Sequence, residues 1–89
     1  MPRVIVIQLW SYYFAMKRDL LEHLATCEAT DANDVARRLN ISYAAAAMGL
    51  LRLVRQGLVN RYVDDALGTY WYCLAEPGYE RLAYFRKSE

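Results

Sequence analysis

The amino-acid sequence predicts an α+β, mostly helical fold: a three-helix core, a β-hairpin and a closing C-terminal helix, behind an apolar N-terminal extension. Three observations predict it. Apolar residues recur at spacings of three and four from Tyr13 to Leu53, the signature of helices with one buried face. The period then shortens to two between Val59 and Leu74, as it does in strands. Finally, Pro77 stands where the first turn of a last helix would begin, a position that proline suits. At 89 residues the chain is expected to form one domain over 1–89, marginal in stability unless it dimerises or packs very well.

In chain order, Tyr13, Met16, Leu20, Leu24 and Cys27 draw one face of a first helix from about Ser11 to Thr26. Asp31, three residues before Asp34, resembles a capping box. Val35, Ala36 and Leu39 follow as the inner side of a short second helix. Asn40 and Ile41 make a turn, after which Ser42 can cap a third helix. Ala46, Leu50 and Leu53 line the inner side of that helix, and Gly57 stops it. Val59 to Asp64 and Thr69 to Leu74 are rich in β-branched and aromatic residues, with Asp65–Gly68 as the connecting turn. Tyr70, Tyr72 and Leu74 share one face of the second strand, Trp71 and Cys73 the other. Gly78, Leu82 and Phe85 give the inner side of the last helix.

The extension over residues 1–10 contains Val4, Ile5, Val6 and Ile7, which favour a strand intrinsically, while Pro2 suits the start of one long helix running to Thr26. Its apolar surface has to be covered, either by the chain's own core or by a second copy as a dimer element. The run from Val4 to Met16 is too short to cross a bilayer, and no small-x-small cleavage site follows it. A cytoplasmic protein is therefore expected. Cys27 and Cys73 are its two cysteines, too few for a disulfide framework or a metal cluster, and reduced thiols are the expectation. His23 is the single histidine, with no partner spaced for a metal site or a catalytic triad. Gly-rich phosphate loops and HExxH-type motifs are absent from the sequence. Neither an enzyme nor a cofactor is expected. Whether a small-molecule effector exists is left open.

Charge is distributed unevenly. The twenty-eight residues from Val35 to Tyr62 hold five arginines (Arg37, Arg38, Arg52, Arg55 and Arg61) and no acid, whereas each flank holds three basic and five acidic groups. A nearly neutral chain with one all-positive segment points to a polyanion, most often nucleic acid.

The ordered set Asp34-Val35-Ala36-x-x-Leu39-Asn40-Ile41-Ser42, Leu50-x-x-Leu53-x-x-x-Gly57-Leu58-Val59-x-Arg61 and Tyr72-x-Leu74-x-x-x-Gly78, completed by Leu82, resembles the winged helix-turn-helix of the MarR-like and related prokaryotic regulators. The resemblance covers about residues 20 to 85. It implies a second helix braced on the duplex backbone, a third helix in the major groove, and the hairpin as a wing reaching a neighbouring groove. A homodimer is expected from the large apolar and aromatic content, eight tyrosines and two tryptophans among it. A two-fold dimer would set two third helices about one turn of DNA apart, the geometry such regulators use.

With Ala46, Leu50 and Leu53 inward, helical geometry turns Ala44, Met48, Leu51 and Arg55 outward, with Ala45 and Arg52 close by. The expected DNA-binding residues are Arg37, Arg38, Ser42, Tyr43, Ala44, Ala45, Met48, Arg52, Arg55 and Arg61. The arginines are candidates for phosphates, set against the alternative of a solvated basic face paired with nearby acids. Ser42 is a cap first. Tyr43, beside a helix N-terminus, suits a backbone phosphate. Alanine can touch a thymine methyl but cannot discriminate a guanine, and the wing turn carries Asp64 and Asp65 with no lysine or arginine, which a minor groove would repel. Specificity is therefore expected from a few contacts near Ser42–Met48 and from DNA shape. The competing expectation is a protein-protein interaction module or adaptor that uses the alanine- and methionine-lined third helix to pack on a partner.

Overall fold

A computed structural model describes residues 16–87, so the extension over 1–10 and the expected start of the first helix lie outside the described residues. Helix α1 is described over 16–25. It is followed by α2 (Ala32–Leu39), α3 (Tyr43–Arg55), β1 (Val59–Asp64), β2 (Thr69–Leu74) and α4 (Glu76–Lys87). The order is the one expected from the periodicity.

Local chemistry sets the boundaries. Asp31, in extended conformation, caps α2 by accepting from the Asp34 amide at 2.8 Å. The reciprocal half of a capping box does not form, because the Asp34 carboxylate turns away to the Thr30 hydroxyl at 2.8 Å. Asn40 ends α2 in the left-handed region at φ 55°, a conformation that asparagine tolerates better than most residues. Two residues later Ser42 caps α3, its hydroxyl accepting from the Ala45 amide at 3.0 Å. Gly57, at φ 76°, releases the chain from α3 in the way glycine alone does without strain.

β1 and β2 pair antiparallel from Val59 opposite Leu74 to Asp64 opposite Thr69. Asp64 shapes the turn between them, its Oδ1 accepting from the amides of Ala66 at 3.0 Å and Leu67 at 3.3 Å. The α1–α2 connection adds a short third rung: Thr30 bridges Tyr72, exchanging amide-to-carbonyl hydrogen bonds of 2.9 and 2.8 Å. The sheet root is thereby tied to the start of α2.

The core lies where the helices meet the sheet. Leu20, Leu21 and Leu24 of α1 pack with Val35, with Ala46, Leu50 and Leu53 of α3, with Leu58, Val59, Tyr72 and Leu74 of the hairpin, and with Leu82 of α4. The inner faces expected for α2, α3 and α4 are those observed. Ala32 and Gly49 are buried as well. A Cβ on Gly49 would come within 2.7 Å of Leu20 Cδ1, so this glycine lets α3 approach α1. Gly78 does the same for α4, since a Cβ there would overlap the Leu58 carbonyl oxygen and meet Leu74 Cδ1 at 2.7 Å. Two polar contacts tie α1 outward: Lys17 Nζ donates to Gln56 Oε1 at 2.7 Å, and Arg86 donates to both Glu22 oxygens at 3.2 and 2.8 Å.

Candidate nucleic-acid interface

Packing Ala46, Gly49, Leu50 and Leu53 inward leaves the opposite side of α3 to solvent. Ala44, Met48, Arg52 and Arg55 are exposed along it, and Ser42 and Tyr43 are exposed at the N-terminal end of the helix. Tyr43 and Met48 keep 58% and 50% of their surface, enough for each to contact a partner directly. Leu51 departs from the outward placement expected of it and is partly buried, as is Ala45, expected close by the outward set. Each residue of α3 advances by about 100°, which carries Ala45 and Leu51 to the flanks of the exposed stripe, not its crest. Ala45 is thus a marginal member of the expected set.

Arg37 and Arg38 leave the last turn of α2 with side chains 79% and 70% exposed. Both reach back toward one carboxylate: Arg37 Nη2 lies 3.4 Å and Arg38 Nε 3.7 Å from Asp34 Oδ1. These are long, solvent-exposed pairs, of a kind worth little. Asp34 has stronger commitments on its other side, accepting from Thr30 Oγ1 at 2.8 Å and lying 3.2 Å from His23 Nε2 at Oδ2. The Thr30 hydrogen bond, ahead of the His23 contact, holds the Asp34 carboxyl below its ordinary value, with partial desolvation opposing. The expected solvated basic face and the intramolecular pairing are therefore both present, with the pairing weak enough for a phosphate to compete.

Arg61 stands apart from the other four arginines. It sits on β1 opposite Tyr72, and its guanidinium carbon lies 4.5 Å from the centroid of the Tyr70 ring. That stack orients the charge at the root of the wing. Burial pushes the Tyr72 hydroxyl above its ordinary value, and Arg61 beside it pulls the other way. The wing turn itself is acidic, as read from the sequence, with Asp65 exposed and Asp64 folded back onto the turn amides.

The structure brings Ala44, Met48, Arg52 and Arg55 onto one exposed stripe with Ser42 and Tyr43 exposed at the start of that helix, sets Arg37 and Arg38 on the neighbouring helix, and leaves Arg61 on the hairpin. Sequence reasoning missed the Asp34 hub and the Arg61–Tyr70 stack. Asp34 carried a signal in its i+3 and i+4 spacing to Arg37 and Arg38; the stack depended on strand register and had none. Among the described residues no group of histidines, cysteines and acids is placed to hold a metal ion, and Cys27 and Cys73 are free thiols. No described helix is long and apolar enough to cross a membrane.

No protein-family model matches the sequence, and no curated protein is similar to it in sequence. Solved structures are similar in fold. A mutant of ZitR from Lactococcus lactis in its apo form superposes with a TM-score of 0.72 at 19% identity, covering 94% of this chain and 64% of that one. MepR, a transcription regulator of the Staphylococcus aureus multidrug efflux pump MepA, gives 0.72 at 23% identity over 81% and 54% of the two chains. A MarR family transcription regulator gives 0.74 at 20% identity over 82% and 49%. The chain thus spans about half to two thirds of the length of the structures it resembles. The helix order, the hairpin and these superpositions agree that the chain has the winged helix-turn-helix fold of MarR-like transcription regulators.

Proposed function

We propose that the chain is a non-enzymatic, cytoplasmic transcriptional regulator that binds double-stranded DNA as a homodimer, mainly through phosphate contacts. The observation that carries this reading is the exposed stripe of α3, Ala44 to Arg55, within the segment that holds five arginines and no acid. A solvent-facing helix beyond a helix-turn-helix turn is what a major groove admits. Arg52 and Arg55 meet phosphates from the C-terminal half of that helix, Arg37 and Arg38 from α2, and Arg61 from the wing root. Tyr43 and the Ser42–Met48 stretch lie nearest the base edges, where alanine and methionine supply apolar contacts and DNA shape supplies the remaining discrimination. The fold shared with solved transcription regulators supports the same reading.

Fluorescence anisotropy with a labelled random duplex at low salt tests it. Wild type is expected to bind, and Met48→Arg to bind more tightly because the stripe gains a cation. Failure of wild type to bind any duplex at low salt refutes the proposal. The half-exposed Met48 and the acidic wing favour a second reading, a protein-interaction module that packs α3 on a partner. That reading predicts no duplex binding by wild type and loss of a co-purifying partner in Met48→Arg.

A further inference from the structure

Between the start of α2, the start of α3 and the root of the wing lies a cavity of about 270 Å³ whose walls include Asp31, Asn33, Tyr43, Thr69, Tyr70 and Tyr72. Three tyrosine rings and one carboxylate line it, and no lysine or arginine does. We infer that this cavity is a binding site for a small organic cation of the quaternary-ammonium class. Aromatic faces carry negative quadrupole potential, and several of them around one space attract a weakly hydrated cation. The Tyr70 ring already holds such a charge, the Arg61 guanidinium at 4.5 Å. Tyr72 is 5% exposed, so its ring is fixed by packing and offers a preformed wall. Asp31 is fixed too, since its Oδ1 accepts from the Asp34 amide, and its carboxylate is the acidic group of the lining. An aromatic carboxylate would meet that charge with its own. The volume lies just below the usual range for small-molecule pockets, which suits a trimethylammonium headgroup better than a drug-sized ligand.

The site goes beyond the duplex reading, and its test uses protein alone, so failure of either leaves the other standing. Amide shifts of ¹⁵N-labelled protein are followed during titration with choline chloride, with the neutral isostere 3,3-dimethylbutan-1-ol, and with sodium benzoate. Choline is expected to shift Asn33, Thr69 and Tyr70 saturably. Asp31→Asn should weaken it at least about fivefold, and Tyr70→Leu similarly. Asparagine caps a helix as well as aspartate does, so the thermal midpoint of Asp31→Asn should stay where it is. Arg61→Gln removes a cation competing for the Tyr70 ring and should tighten choline binding. The inference is overturned by equal binding of the neutral isostere, by benzoate binding more tightly than choline, by no saturable shift with choline, or by unchanged affinity in both Asp31→Asn and Tyr70→Leu.

Discussion

Replacing Arg52 and Arg55 together by alanine separates a phosphate-binding α3 from a merely basic one. Both side chains are exposed in the last turn of the helix and neither belongs to the buried set of Leu50 and Leu53, so fold stability should change little. Each neutralised phosphate contributes about 0.9 to the slope of log K against log salt. If all five arginines of the segment meet phosphates, one protomer contributes a slope of about −4.5, and the double variant about −2.7. Between 50 and 200 mM salt that corresponds to losses of roughly 500-fold for wild type and roughly 40-fold for the variant, per protomer. Arg37 and Arg38 lean toward Asp34, which makes the wild-type figure an upper bound and leaves the difference untouched. The assay is fluorescence anisotropy on a random duplex across that salt series. Parallel lines for wild type and variant would refute the placement of these two arginines on phosphates, whatever the change in absolute affinity.

Other expectations concern the scaffold. Ser42→Ala strands the Ala45 amide and should cost about 1 kcal/mol, read as a Tm lower by roughly 4–8 °C for a domain of this size; a change under 1 °C would show that water replaces the cap in full. Gly78→Ala forces a methyl onto the Leu58 carbonyl and Leu74 and should cost about 1–3 kcal/mol by overpacking, measured by urea denaturation, where an unchanged midpoint would contradict the close approach of α4. Asp34 has a depressed carboxyl in the fold, so its contribution to stability is complete above its unfolded value near 3.8 and is lost as pH falls below that through the folded value. Asp34→Asn should accordingly flatten the acid limb of the stability curve below about pH 4, while freeing Arg37 and Arg38 and tightening duplex binding at neutral pH. If the acid limb keeps its shape, the Thr30 and His23 contacts do not govern it.

The elements were legible because each carried its own period and its own punctuation. Leu50 and Leu53 with Ala46, Gly57 after them, and the alternation of Tyr72 and Leu74 are local signals, and the structure places them as expected. Residues that depend on distant partners were not legible. Gly49 reads as a weak spot in a helix until α1 lies across it, with Leu20 filling the space a side chain would need. The contact of Asp34 with His23 depends on how α1 crosses α2. Ala45, close to the outward set by sequence angle, is partly covered at the flank of the exposed stripe. The arginine-rich segment was visible as composition; its division between α2, α3 and the wing root required the chain path.

The pairing of Thr30 with Tyr72 has a mechanical consequence. A hairpin held only at its own base can swing; this one is laced at its root to the strip of chain that launches α2, so tilting it means breaking two amide-to-carbonyl links at once. Spacing between the hairpin and the two helices beside it is therefore set before any partner arrives. A partner that touched all three would meet them at a fixed spacing.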